Sequence, residues 1–211
     1  MQRELDNILN TETKIRLIRL FVSKGKNFIV TGRGAAQSAG VTPPAAHAAL
    51  KELLDLNILN RVVLGRQHIY SLNRESRVVS DILLQLFAKE LSIKDEIIGY
   101  LKKRITSLGP GKGGLLSILL YGSFATKKSV RSNDVDIAVI TRDEETRKEF
   151  KKRIPEEISR DFQKYFGKHL DAYVITKTDF LKKIKRNLPP VSSMIREHSV
   201  VYGKTPVELV A

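Results

Sequence analysis

Two aspartates, Asp134 and Asp136, have the residue type and spacing that most directly suggest chemistry in this chain. They open an apolar run, Ile137 to Ile140, with the composition of a buried strand. Because side chains alternate between the two faces of a strand, both carboxylates should lie on one face and Val135 on the other. Adjacent carboxylates repel each other unless a divalent cation lies between them, and hard oxygen ligands suit Mg²⁺. The pair predicts a magnesium site, although such a pair alone is also common on a solvated strand edge.

A glycine-serine turn precedes the aspartates. Gly122-Ser123 ends a strand-length apolar run, Leu115 to Tyr121, and ten residues separate the turn from Asp134. Glycine allows a ligand to approach the backbone closely, and Ser123 should begin a short helix whose free N–H groups favour an anion. The cations that could neutralise phosphate charge in the intervening segment are Lys127, Lys128 and Arg131. Together these features predict a site for a metal-bound nucleoside triphosphate (NTP).

The stretch LLYGSFATKKSVRSNDVDIAVIT resembles the signature of the DNA polymerase beta-like nucleotidyltransferase superfamily, particularly its minimal members. The resemblance implies an α/β domain with a mixed sheet that binds an NTP and Mg²⁺, with two ions in the catalytic state. It also implies a third carboxylate on a neighbouring strand. Asp171, at the start of the β-rich run Leu170–Thr176, is the candidate, although an aspartate there can also be only a turn residue. Asp134, Asp136 and Asp171 would then be the metal ligands and catalytic residues.

The sequence departs from this family at one place. Active minimal members usually have arginine followed by glycine shortly after the turn, where this chain has Thr126 and Lys127. Lys127 or Lys128 could replace the charge but not the planar fork of arginine. Three functions therefore stay open: nucleotidyl transfer to a protein or small-molecule hydroxyl, nucleotide sensing without turnover by a repressor, and antitoxin-like modification of a partner protein.

Residues 1–75 have the layout of a DNA-binding module. A helix ends near Lys24, a short helix capped by Thr31 follows, and a second helix begins at Pro43 after a turn at Gly40. Two β-rich runs, 59–64 and 67–72, then flank a tight turn. This order is that of a winged helix-turn-helix. The segment from residue 13 to 73 resembles winged-helix transcription regulators of bacteria and archaea.

In such a module the second helix enters the major groove and the hairpin reaches the backbone or minor groove. The residues expected to face double-stranded DNA are Thr42, Pro44, Ala45, His47, Lys51, Arg61, Arg66 and His68. The alternative is a trihelical unit that mediates only protein contacts. A homodimer is the expected form for DNA binding by this module.

Composition restricts the remaining possibilities. Of 211 residues, 37 are Lys or Arg and 23 are Asp or Glu, which gives a formal net charge of +14 and favours polyanionic partners. The absence of cysteine excludes disulfides, zinc ribbons and thiol catalysis. No apolar run approaches the ~18 residues of a membrane span, and the first residues lack a signal-peptide core, so we expect a cytoplasmic protein. A basic helix over 179–187, with Lys182, Lys183, Lys185 and Arg186, is either a solvated face or a second nucleotide or nucleic-acid contact.

These features predict an α+β chain in three parts. Residues 1–75 form the winged helix-turn-helix, residues 76–110 a helical connector with apolar residues at helical spacing, and residues 111–211 the nucleotidyltransferase domain. The glycine-rich segment from residue 109 to 114 is the expected break between the last two parts.

Overall fold

A computed structural model describes residues 4–109, 113–125 and 133–210. The chain forms two compact units, Met1–Ile93 and Lys94–Ala211. The α+β fold class is confirmed, with helices and a small antiparallel sheet in the first unit and a mixed sheet in the second. Among the described residues, no helix has both the length and the apolar composition needed to cross a membrane.

The first unit begins with helices and ends in a hairpin. Its helices are α1 (Glu4–Ile8), α2 (Glu12–Ser23), α3 (Gly32–Ala39) and α4 (Pro43–Asp55). Its strands are β1 (Ile29–Thr31), β2 (Leu59–Leu64) and β3 (Gln67–Leu72), in the antiparallel order β1-β3-β2. The helical order and the hairpin are those of the predicted winged helix-turn-helix.

Local signals set these boundaries. Thr31 caps α3, because its hydroxyl accepts a hydrogen bond of 3.2 Å from the Gly34 N–H. Arg16 of α2 donates to the carbonyl of Gly40 at 3.0 Å, which ties α2 to the turn between α3 and α4. Gly65 has φ +60°, the left-handed conformation that a two-residue hairpin turn requires. The start of α3 and the hairpin turn are therefore set by short-range signals, whereas the contact of Arg16 with Gly40 is a tertiary one.

The predicted connector is one nearly continuous helical segment. A π-helical turn, Val79–Leu83, leads directly into α5 (Leu84–Leu108). Val79 and Leu83 are buried in the core of the first unit, whereas Leu101 and Ile105 are buried in that of the second. The boundary between the compact units thus falls within α5. Residues 110–112 of the glycine-rich segment lie outside the described part of the chain.

The second unit is built on a four-stranded sheet with the order β6-β5-β4-β7. Its strands are β4 (Leu115–Tyr121), β5 (Asp134–Thr141), β6 (His169–Thr176) and β7 (Ser199–Gly203). β5 and β6 are parallel, and the other pairs are antiparallel. The helices that follow α5 are α6 (Gly122–Ala125), α7 (Glu144–Ile154), α8 (Arg160–Phe166), α9 (Lys177–Lys185), α10 (Val191–Arg196) and α11 (Pro206–Val210).

Each face of this sheet has its own apolar core. α5, α7 and α8 cover one face, where Phe150, Ile154 and Phe162 pack against β4 and β5. α9, α10 and α11 cover part of the other face, where Phe180 and Met194 pack against the same strands. A π-helical turn, Pro155–Ser159, connects α7 to α8.

Candidate functional site

The predicted acidic residues lie where three strands of the second unit are neighbours. β5 begins with Asp134, and Asp136 is directly opposite Asp171 in the parallel pairing with β6. On the other side of β5, Tyr121 at the end of β4 is directly opposite Asp136. Residues paired in this way share one face of a sheet. Two carboxylates and a phenol are therefore side by side at one end of the sheet.

The alternation predicted for β5 is present. Val135 is fully buried in the core formed with α5, α7 and α8. Asp136, on the opposite face, is half-buried, and Asp134 and Asp171 are exposed. The same face continues along β5 into Ala138 and Ile140, which belong to the second core. The acidic group is thus the solvent-facing end of a sheet face that is otherwise packed.

Gly122 brings the backbone into close contact with this group. Its φ is +75°, and a Cβ built at this position would lie 2.2 Å from Oδ2 of Asp136. No side chain can occupy that space while Asp136 keeps its position. The turn between β4 and α6 therefore approaches the carboxylate as closely as only glycine permits.

The electrostatics of the site are dominated by negative charge. Burial raises the pKa of the Asp136 carboxyl above its usual range, and the carboxylates of Asp171 and Asp134 raise it further. Burial also raises the pKa of the Tyr121 phenol, with added effects from Asp136 and Asp171. Asp134 and Asp171 are therefore close enough to disfavour the ionisation of Asp136, and a cation among the three acids would relieve that cost.

Two described cations lie beside α6, the short helix predicted to begin at Ser123. Lys94 donates a hydrogen bond of 2.8 Å to the carbonyl of Ala125, at the last residue of α6. The ammonium of Lys168 lies 5.4 Å from the ring centroid of Phe124. The predicted phosphate-binding cations Lys127, Lys128 and Arg131, and also Thr126, lie outside the described residues.

The first unit presents the predicted DNA-facing residues on α4 and the hairpin. Thr42, Pro44, His47 and Lys51 are exposed, and Ala45 is half-buried. On the hairpin, the exposed predicted residues are Arg61, Arg66 and His68. Basic and small polar groups are thus available on both elements that a winged helix-turn-helix presents to DNA.

Thr42 occupies the N-cap position of α4, but its side chain makes no capping hydrogen bond. Pro43 follows at the first helical position, where its missing N–H removes no hydrogen bond. The hydroxyl of Thr42 is therefore available to an external acceptor such as a phosphate oxygen. Pro43 and Pro44 have no N–H, so the start of α4 offers few backbone donors of its own.

Residues 103–202 match the family model "Polymerase beta, Nucleotidyltransferase". The match contains the turn at Gly122 and all three predicted acids, and it covers just under half of the chain. This part of the chain is therefore similar to polymerase beta nucleotidyltransferase domains, as its sequence motif predicts. No curated protein matches the chain significantly.

Several solved structures resemble parts of the chain at low identity. NadR in complex with 4-hydroxyphenylacetate is 20% identical, with a TM-score of 0.36, and the match covers 47% of this chain and 74% of that one. A MepR–DNA complex from S. aureus is 16% identical, with a TM-score of 0.33 and coverage of 50% and 90%. A toxin–antitoxin structure with AMP-PNP is 17% identical, with a TM-score of 0.32 and coverage of 56% and 77%.

The nucleotidyltransferase-like unit offers a donor set that fits Mg²⁺ together with phosphates. Across the residues described, no three His, Cys, Asp or Glu side chains form a ready-made metal-binding cluster. Mg²⁺ is commonly held by one or two carboxylates plus substrate phosphate oxygens rather than by an all-protein cage. The mutual repulsion around Asp136 is what such a donor set should show without the ion.

Sequence reasoning did not find every residue near the acids. Tyr121 and His169, which lie opposite Asp136 and Asp134, become neighbours only through strand register. Tyr121 could have been suspected, since it directly precedes Gly122. Lys94 and Lys168 have no signal in the sequence, because they come from α5 and from the residue before β6.

Proposed function

We propose that this protein is a DNA-binding regulator whose nucleotidyltransferase-like unit binds an NTP with Mg²⁺ and transfers a nucleotidyl group to a hydroxyl acceptor. The observation that supports the transferase activity is the register that places Asp136 opposite Asp171, with the Gly122 turn in contact with Asp136. A pair of carboxylates beside a close backbone turn suits a triphosphate held through a divalent cation.

In this proposal Asp134, Asp136 and Asp171 would hold Mg²⁺, which would neutralise phosphate charge and polarise the reacting groups. Asp171 is exposed and therefore accessible to an acceptor, so it takes the proton of the attacking hydroxyl. The hydroxyl oxygen forms a bond to the α-phosphorus, the bond to the β-phosphate oxygen breaks, and pyrophosphate leaves. Gly122 and Ser123 lie where the backbone can follow the triphosphate, and Lys168 adds positive charge beside α6.

A labelling experiment tests the transferase activity. The purified protein is incubated with α-³²P-labelled NTPs, Mg²⁺ and cell extract, and transferred label is followed. We expect label with the native chain and none with Asp134→Ala/Asp136→Ala. The matched control is Asp143→Ala, because Asp143 follows β5 but caps α7 through Thr146 and lies outside the acidic group.

Nucleotide sensing without turnover is the second candidate, because Thr126 and Lys127 stand where active minimal transferases have arginine and glycine. NTP binding without transferred label in any extract would replace the transferase proposal with this one. If the native chain neither binds an NTP nor transfers label, the transferase proposal and the nucleotide-sensing candidate are both contradicted.

The DNA-binding proposal rests on the exposed surface of α4 and the hairpin. Arg66 follows Gly65 in the hairpin turn, where its side chain can reach a phosphate, and the Thr42 hydroxyl has no capping role. We expect affinity for double-stranded DNA to fall steeply with salt. Arg66→Gln should weaken binding to all sequences and lower the salt slope by about one. Salt-independent binding, or none to any genomic fragment, would instead support a trihelical unit that contacts only protein.

A further inference from the structure

A groove of about 470 Å³ lies beside β6, the strand at one end of the mixed sheet. This volume falls in the range of small-molecule sites. Residues 172–175 of β6 form its floor, α7 contributes one wall, and α9 with the residues that follow it contributes the other. Asp134, Asp136 and Asp171 are absent from its lining, so the groove is separate from the proposed NTP site.

The lining is strongly basic. A single carboxylate, Asp179, lines the groove. The cations that line it are Arg147, Lys151, Lys182, Lys183 and Arg186. They come from two elements separated by more than twenty residues, so the charge is concentrated by the fold and not by a run in the sequence. The groove also contains most of the basic helix for which the sequence left two interpretations open.

Some of these cations already have partners. Arg147 donates to Glu144, with Nε at 2.7 Å from Oε2, and this hydrogen bond raises the pKa of the guanidinium. Lys182 lies 3.3 Å from Asp179, and Lys183 lies 5.5 Å from the centroid of the Tyr173 ring. Lys151 and Arg186 are exposed and have no carboxylate partner among the described residues. The groove therefore keeps uncompensated positive charge on both walls.

Its floor adds hydrogen-bond donors. Within the described residues, β6 is hydrogen-bonded to one strand only, β5. The free side of an edge strand presents N–H groups without a strand partner. An anion in the groove can therefore accept hydrogen bonds from the backbone as well as from the cationic side chains.

We propose that this groove is a second anion site that binds an oligophosphate of three or more linked phosphates, either free or carried by a nucleoside. Cations on two facing walls suit a ligand with several separated charges better than a single monovalent anion. The guanidinium of Arg186 favours phosphate oxygens, which match its forked donors, whereas that of Arg147 already forms a two-point pair with Glu144 and adds only its charge. An acidic peptide added as a strand to β6 would satisfy the same edge, but the side-chain cations on both walls favour phosphate.

Calorimetric titration with inorganic tripolyphosphate and with ATP tests this site in the full chain. EDTA is present throughout, because without a divalent cation the acids near Gly122 repel a polyanion, and the NTP site then contributes nothing. The test variant is Lys151→Gln/Arg186→Gln. The matched control is Lys152→Gln/Lys185→Gln, which removes the same charge from the exposed positions directly beside Lys151 and Arg186 in the sequence but outside the groove.

We expect one saturable site that the groove variant weakens about tenfold, whereas the control changes affinity by less than about twofold. Equal loss in both variants would mean diffuse attraction, and absence of saturable binding would remove the site; either result overturns the proposal. Groove-dependent binding of a single-stranded oligonucleotide or an acidic peptide, but not of tripolyphosphate, overturns it too. Equal affinities for tripolyphosphate and ATP indicate that phosphates alone are recognised, and tighter ATP binding indicates a nucleoside-borne ligand.

Discussion

Asp136 is more buried than the other two acids of the group and has more close neighbours. It is the half-buried member, it lies opposite both Tyr121 and Asp171, and its Oδ2 occupies the space that a side chain at Gly122 would need. Asp134 and Asp171 are exposed, so an acceptor or an ion can reach them from the solvent. The proposed chemistry would therefore depend on one carboxylate whose ionised form is disfavoured in the folded state.

Asp136→Asn should raise the thermal unfolding temperature in EDTA at neutral pH. Burial and neighbouring carboxylates raise the pKa of Asp136 in the folded state, so ionised Asp136 destabilises the native protein. The gain should shrink as the pH falls through that raised pKa, because the native carboxyl then takes up a proton. Mg²⁺–ATP should stabilise the native chain but not the variant, and equal stabilisation of both would contradict a ligand role for Asp136.

Asp143→Ala provides a control of opposite sign. Hydrogen bonds from Thr146 lower the pKa of Asp143 below its usual range. Its ionised form therefore stabilises the native state at neutral pH, and that contribution fades as the pH falls through the lowered pKa. The variant should unfold at a lower temperature than the native chain at neutral pH, with a difference that narrows in acid.

Gly122→Ala should destabilise the chain by about 1–3 kcal/mol, because it combines an unfavourable φ with displacement of Asp136. NTP binding should be lost with it. Gly99→Ala is the matched control. Gly99 lies within α5, and a Cβ there would meet nothing within 4 Å. Alanine at this position should therefore raise the free energy of unfolding by about 0.5–1 kcal/mol. Chemical denaturation measures both changes. Unaltered NTP binding in Gly122→Ala would show that the turn does not fix Asp136.

For the helices and strands, signals between residues close in the sequence predicted the element bounds, whereas the pairing of distant strands could not be predicted from the sequence. The hairpin strands have the predicted bounds, 59–64 and 67–72, because the turn at Gly65 and the β-rich flanks act within a few residues. The helix capped by Thr31 is likewise present. The pairing of Asp136 with Asp171 joins residues 35 apart, and no short-range pattern fixes that register. The basic groove depends in the same way on the packing of α7 and α9 around β6.

Helix α2 contains a buried charge that joins three elements. Lys14 is 2% exposed, donates a 2.7 Å hydrogen bond to the carbonyl of Asn7, and forms an ion pair with Glu52 of α4. Lys14→Ala should lower the free energy of unfolding by about 1–3 kcal/mol, because it leaves the Asn7 carbonyl without this donor and opens a cavity. Lys14→Met should recover the packing part of that loss, as measured by urea denaturation. If Lys14→Ala and Lys14→Met lower the free energy of unfolding equally, packing of the Lys14 side chain contributes little to stability.

Across the whole molecule, the charge of +14 is divided between two units with different proposed partners. In the proposed functions, DNA would account for the exposed cations of the hairpin and for Lys51 of α4, and the triphosphate for the cations beside α6. The cations of α7 and α9, which neither DNA nor the triphosphate explains, line the basic groove.

This division predicts that the binding activities can be removed separately. Asp134→Ala/Asp136→Ala should keep DNA affinity within about twofold of the native chain, and Arg66→Gln should keep NTP affinity within the same limit. Fluorescence anisotropy with labelled DNA and labelled nucleotide measures both in one set of proteins. Loss of both affinities in either variant would show that the two sites are coupled.

The close approach of Gly122 to Asp136 restricts which substitutions evolution or protein engineering can introduce at these two positions. A side chain at position 122 and a carboxylate at position 136 compete for one volume, so the two positions should change together among related chains. A relative that has acquired any other residue at 122 should also have lost its acid at 136, and should survive only where transfer chemistry is no longer selected. An engineer who wishes to silence the site while keeping the fold should therefore replace Asp136 and leave Gly122, because a side chain at 122 would remain strained by the φ of +75° even if Asp136 were smaller.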